Sequence, residues 1–296
     1  MRLPLSYVTV LDLTRLLPGP MATRHLADLG AEVTCIRPPS GENGGEAQEF
    51  ATRLESHLDR GKRILQINLG EPAGPDAFRR LAVEADVIVE SFRPGVVDRL
   101  GIGYDAIRTV NPAIVYCSIS GYGQRGPDRM RAGHDINYMA AAGVAGDPPV
   151  LPVLQPGDLF GSLNAVNGIL AALVGGNGGY IDVSMTDGLV AHAVVPLFSH
   201  GAQPLSGYLP CYNYYRAADG RYLAVGALER KFWDRLCDAL GRPELKPSHL
   251  DPAARGNLQS LFETRPSADW LRLLDPADCC VNLVLTFEEA LEARSA

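Results

Sequence analysis

The sequence predicts an α/β protein: a large Rossmann-like parallel-sheet domain over residues 1–205 and a smaller α+β domain over residues 206–296. Three observations predict it. The first third alternates short β-branched runs with helix-length segments, the pattern of βαβ units on a parallel sheet. The 296 residues exceed what one compact domain usually needs. Beyond Pro210 the texture changes to Tyr212-Asn213-Tyr214-Tyr215, an Asp219-Gly220 turn and Tyr222 to Val225, which is a hairpin signal.

The elements follow in order. Val8 to Leu13 is the first strand. Pro18-Gly19-Pro20 starts a helix with Met21, Leu26 and Leu29 at helical spacing, and Gly30 ends it. Ala31 to Ile36 is the second strand, and Ile64 to Leu69, Val87 to Val89 and Ile114 to Ser118 are further strands, separated by segments such as the helix Asp76 to Glu84. The first strand-to-helix turn, Thr14 to Pro20, lacks the three glycines that let a dinucleotide pyrophosphate approach the backbone, which argues against a NAD site. Helices are expected over Asn137 to Gly143 and Leu159 to Leu173, with Tyr180 to Val183 returning as a strand. Helices over Arg230 to Leu240 and Ala268 to Leu274 complete the second domain.

Composition narrows the function. Hydrophobic residues make up 46% and charged ones 21%, ordinary soluble usage. A net charge of −7 and a pI near 5.4 oppose a nucleic-acid surface, so an anionic ligand has to be held by local arginines. The six cysteines, at 35, 117, 211, 237, 279 and 280, show no metal-ligand spacing and read as reduced thiols; no metal site is expected. The N-terminus lacks the apolar region of a signal peptide, so a cytoplasmic location is expected. No charge occurs from Leu159 to Ile181, yet Asn164, Asn167, Asn177 and several glycines interrupt it. A buried helix followed by a Gly-rich loop fits better than a membrane span.

Several residues could carry chemistry. His134 follows Gly133 at an expected helix start near the mouth of the sheet, where it is either an acid/base or a capping histidine. His25, His57, His192, His200 and His249 lack such context and read as structural. Asp158 fits a helix N-cap; facing one cavity with His134, it would form an acid/base pair whose apolar surroundings raise the carboxylate's pKa. Glu229, between a strand and a helix, is either a first-turn acid or a carboxylate that orients an imidazole. Arg37, Arg93 and Arg99 fall near carboxyl edges of the sheet, where guanidinium groups can clamp phosphates.

These residues sit in a larger pattern. Leu11 to Arg15 with Pro18-Gly19-Pro20, Leu26 to Ala31, Arg60 to Arg63, Ser91 to Gly95 and Ser118 to Gly123 together resemble the class III CoA-transferase superfamily, over most of the chain. Gly133 to Tyr138 and Gly226 to Glu229 resemble its α-methylacyl-CoA racemase branch. The resemblance implies that His134 and Asp158 flank the α-carbon of a 2-methylacyl-CoA thioester. One removes its proton and the other returns it to the opposite face, with Glu229 completing the catalytic set. It implies that Arg37, Arg93 and Arg99 contact the CoA nucleotide and that Gly133, Asp135, Asn137 and Tyr138 lie beside the pantetheine and thioester. No permanently bound cofactor is implied, since coenzyme A arrives as part of the substrate. Neither a membrane nor a nucleic acid is expected as a partner. The transferase alternative has Asp158 attack the thioester to form an acyl-enzyme. The resemblance further implies an interlocked homodimer in which a C-terminal limb returns to the large domain. Here the sequence ends soon after Thr286 to Leu291, so that limb is expected to be missing.

Overall fold

The structure is a computed structural model in which residues 2–39, 46–198 and 204–295 are described. His200 lies outside them. The chain divides into two units, Met1–Ala193 and Val194–Ala296, where the sequence placed the boundary at 205/206.

The first unit runs β1 (Thr9–Asp12), α1 (Pro18–Asp28), β2 (Glu32–Arg37), α2 (Glu46–Leu58), β3 (Arg63–Gln66), α3 (Ala73–Ala82), β4 (Val87–Glu90), α4 (Val96–Arg99), α5 (Tyr104–Ile107), β5 (Val115–Ser120), α6 (Asp135–Ala141), α7 (Pro156–Gly175), β6 (Gly179–Ser184) and α8 (Met185–His192). The strands pair in parallel in the order β3-β2-β1-β4-β5-β6. Both faces are covered, which is why the central strands are apolar at nearly every position. Val10, Val87, Val89 and Val115 enter one core, while Leu11, Ile88 and Tyr116 enter the other. The edge strand β3 is exposed along its length. It ends at Gln66 rather than Leu69, because a strand with one neighbour has little pairing to extend it.

Helix α1 begins at Pro18, whose missing N–H needs no partner in a first turn. It ends where Gly30 takes φ +105°, and a side chain there would strike Leu3, with its Cβ 2.5 Å away. Helix α7 is long and apolar enough to cross a membrane by length and composition, but it packs on α1, α6, α8 and the sheet. Its burial is less complete than the sequence suggests: Ala165 and Ile169 are fully buried, whereas Leu163 and Val174 are exposed.

Under the carboxyl end of β1 lies a buried ionic cluster. Asp12 accepts bonds from the Thr14 amide at 2.8 Å, from the Thr14 and Thr23 hydroxyls, and from Lys62 Nζ at 3.4 Å. Lys62 Nζ also donates to Pro20 O, Thr23 Oγ1 and Asp59 Oδ1. Asp12, Cys35 and Asp59 bring their ligand atoms within 4.8 Å of one another, yet the cations beside them are this ammonium and the Arg37 guanidinium on Asp59, with both Lys62 and Asp12 side chains fully buried. Replacing Lys62 with methionine leaves Asp12 without its cation and is expected to destabilise the fold by about 3–5 kcal/mol. Urea unfolding measures this, and a loss under about 1 kcal/mol would contradict the account.

The second unit comprises α9 (Val194–Phe198), β7 (Tyr212–Arg216), β8 (Tyr222–Gly226), α10 (Arg230–Ala239), α11 (Ala254–Phe262), α12 (Ser267–Leu274), β9 (Val281–Leu283) and α13 (Phe287–Ser295). The expected hairpin forms, with Tyr212 opposite Gly226 and Arg216 opposite Tyr222, and β9 adds a third antiparallel strand. One face packs on a core centred on Trp233, Phe262 and Trp270. Arg221 grips Glu289 through both guanidinium nitrogens at 3.0 and 2.8 Å, tying α13 to the sheet.

Candidate active site

The order of strands reverses between β1 and β4, and in open α/β sheets ligands bind beyond the carboxyl ends of the strands at such a point. A cavity of about 500 Å3 opens there, within the first unit. The turn after β1 brings Arg15 and Leu16, the turn after β4 brings Arg93, the segment after β5 brings Arg129 and Arg131, and α6 and α7 bring His134 and Asp158.

His134 is the N-cap residue of α6 with extended backbone, and its carbonyl accepts from the Asn137 and Tyr138 amides. The His134 amide in turn donates to Asn137 Oδ1 at 3.0 Å, so the residue's backbone is held from both sides. Its exposed side chain lines the cavity. Tyr138 packs edge-on against Tyr122 and donates its hydroxyl to Gly133 O at 2.5 Å. That ring lies so close to the backbone that a Cβ at Gly121 or Gly133 would come within 2.3 or 2.8 Å of it. Glycine at both positions is thus a steric requirement of the cavity wall.

Of the two readings of Asp158, N-cap or acid/base, the structure removes the first. Helix α7 starts three residues earlier than expected, with Gln155 at the cap and Pro156 at the first position. The cap's work is done by Asp135, whose Oδ1 accepts from the Gly157 amide at 2.6 Å and the Asp158 amide at 3.2 Å. Asp158 lines the cavity instead. Burial pushes its carboxyl up to about 6, and the negative charge of Asp135 adds to the shift. The unfolded carboxyl titrates near 3.8, so the folded chain holds this proton more tightly. Ionisation of Asp158 therefore weakens the fold as pH rises from about 4 to 6, and the deficit stays constant above that range. Asp158→Asn is expected to raise stability by about 1–2 kcal/mol at pH 7.5 and to change it little at pH 3.5. Paired denaturation curves at the two pH values check the sign.

Six of the ten expected site residues line this cavity: His134, Asp158, Arg93, Gly133, Asn137 and Tyr138. The other four lie elsewhere. Asp135, expected beside the pantetheine, turns to the amides of α7. Arg99 lines an adjoining cavity of about 790 Å3 with Arg125 and Tyr180, and the two cavities share Pro94 and Arg129. Arg37, expected at the nucleotide, lines neither: its guanidinium bonds to both Asp59 oxygens at 3.2 and 3.0 Å and to Thr14 O. An arginine ending a strand on the correct edge is here neutralised by a neighbour that its own sequence context does not reveal. Glu229 belongs to the second unit, where it is the exposed N-cap residue of α10 rather than a first-turn acid.

Arg15, Arg129 and Arg131 were missed, although the switch-point rule applied to the first turn would have singled out Arg15. Glu90 was missed too. It is 1% exposed at the end of β4, burial pushes it up to about 7, and its Oε2 accepts from the Phe92 amide at 2.7 Å. That bond anchors the turn that carries Arg93. A smaller slot of about 280 Å3, walled by Leu13, Ile36, Pro38, Ile67 and Leu69, shares Arg15 and Phe92 with the His134 cavity or its rim.

The chain is similar to known proteins over nearly its whole length. The chain is 34% identical to the human α-methylacyl-CoA racemase, over 97% of this chain and 79% of that protein. It is 31% identical to the acetyl-CoA:oxalate CoA-transferase of Acetobacter aceti, over 97% of this chain and 82% of that protein. The crystal structure of Rv3272 from M. tuberculosis superposes with a TM-score of 0.82 at 29% identity, covering 98% of this chain and 86% of that one. The model of the family described as CoA-transferase family III matches residues 5–296, and this chain belongs to that family.

Proposed function

We propose that the protein is a racemase or epimerase that inverts the α-carbon of 2-methylacyl-CoA thioesters by two-base 1,1-proton transfer. The observation that carries this reading is a single cavity lined by an imidazole and by a carboxyl pushed up to about 6. A carboxyl shifted towards neutrality can both hold and release a proton, and imidazole is the side chain most often used as an acid/base, which is what alternating roles need. The thioester acidifies its α-C–H. One base takes that proton, the electron pair moves onto the thioester oxygen, and the other group delivers a proton to the opposite face.

Arg15, Arg93, Arg129 and Arg131 give the cavity a basic rim in a chain of net charge −7, suited to the phosphates of coenzyme A. The adjoining apolar slot suits a flat ring such as adenine. Coenzyme A comes and goes with the substrate, so the reading calls for no resident cofactor; a cytoplasmic location is proposed alongside it. Glu229 enters it only as a carboxylate able to orient an imidazole. Val150, Leu151, Val153 and Leu154 form an exposed apolar run before α7, with Val153 90% exposed. Such a run favours a homodimer, which sedimentation at micromolar concentration tests.

The second reading is CoA transfer through an acyl-enzyme at Asp158, favoured by the similarity to the A. aceti transferase. One experiment separates the two: incubation of a single enantiomer of a 2-methylacyl-CoA, alone and with an acceptor carboxylate. Racemisation without acceptor supports the first reading; acceptor-dependent formation of a new thioester with retained configuration supports the second.

A further inference from the structure

We infer that Asp135 is a positioning residue for the proposed proton transfer, locking the Asp158 end of α7 to the His134 end of α6. The inference rests on the racemase reading and deepens it. Asp135 directly follows His134 in sequence, and its Oδ1 bridges the Gly157 and Asp158 amides. One side chain thus spans the two segments that carry the acid/base pair. Gly157 is buried, and a Cβ there would lie 2.9 Å from Asp135 Oδ1 and 3.4 Å from Leu189 Cδ1, so the carboxylate sits tight against the helix start. A first-turn amide pair left without this acceptor has to take up water or shift the turn to find another partner. Shifts of about 1 Å in a catalytic group can lower rates on the order of 10²-fold.

Asp135 acts on Asp158 in a second way, as a like charge. The groups around Asp158 are His134, Asp135 and Tyr138 on α6, and Arg15, Arg93, Arg129 and Arg131 on the loops of the cavity. From α8, Met185 and Leu189 come against the first turns of α7, and the His192 ring stacks on Phe160 with centroids 4.5 Å apart. Among these neighbours Asp135 is the negative charge held at the Asp158 amide, and it keeps the carboxyl protonated to higher pH.

Two substitutions separate the bonds from the charge. Asp135→Asn retains an oxygen acceptor for both amides and removes the charge. The acid limb of kcat for α-proton exchange is expected to move to lower pH, with KM nearly unchanged. Asp135→Ala removes the acceptor as well, and kcat is expected to fall on the order of 10²-fold with a much smaller change in KM. Carbon-13 NMR titration of the Asp158 carboxyl, assigned by comparison with Asp158→Asn, should show its midpoint moving to lower pH in Asp135→Asn. An unchanged midpoint, or an Asp135→Ala variant that keeps its kcat, would overturn the inference. If the alanine variant does not fold, the asparagine variant decides alone. The titration needs no turnover, so it judges Asp135 even if the unaltered protein exchanges no α-proton, a result that counts against the racemase reading alone.

Discussion

Asp158→Asn is expected to lower racemisation of a 2-methylacyl-CoA by on the order of 10²–10⁴-fold while leaving the Kd for coenzyme A within a few-fold. The asparagine keeps the size and the helix position but can neither take nor return a proton. The arginines of the cavity rim are untouched, so ligand binding should persist, as calorimetry can show. The loss has a directional signature. Each base serves one face of the α-carbon, so the variant should still wash out the α-proton of the enantiomer that His134 faces while failing to convert it to its mirror image. The same substitution should make the folded protein more stable above pH 6, because burial of the Asp158 charge opposes folding. A residue whose removal stabilises the fold and stops the reaction is held there for function.

His134→Ala is expected to lower racemisation by a similar order, 10²–10⁴-fold, with the complementary signature: exchange survives only in the enantiomer that Asp158 faces. The backbone of His134 caps α6 through its carbonyl and through the bond its amide donates to Asn137 Oδ1, neither of which needs the imidazole. The fold should therefore tolerate alanine, and an unchanged Tm would separate catalytic loss from structural loss. This variant also divides the two readings most sharply. A CoA-transferase that uses Asp158 as a nucleophile needs no base at position 134, so transfer to an acceptor carboxylate would continue at close to its original rate.

Much of the fold is legible in the sequence because a parallel sheet buried on both faces writes itself as short apolar runs. Five of the six strands of the first sheet end within about a residue or two of expectation; β3 stops sooner, at an exposed edge. The order of the strands is not written there, since it depends on which neighbours pair. The three-residue strand β9 is too short for a periodicity. The site was legible where chemistry coincides with a local pattern, as in Gly133-His134 before a helix. It was not legible where a partner comes from afar. The cap on α7 comes from Asp135, 22 residues upstream, so an aspartate three residues into the helix read as the cap itself. Arg37 stands on the predicted edge but meets Asp59. The two cases share one cause: a charged side chain's surroundings are set by what it touches, and the sequence shows only what it adjoins.

The central claim is that His134 and Asp158 exchange the α-proton of an acyl-CoA from opposite faces. Its most direct test is proton NMR of each enantiomer of a 2-methylacyl-CoA incubated with the protein in heavy water and no acceptor. The account predicts that the α-proton signal disappears from both enantiomers as deuterium enters and the two converge on a racemate. Both enantiomers keeping their α-protons under conditions in which the protein binds coenzyme A would contradict it.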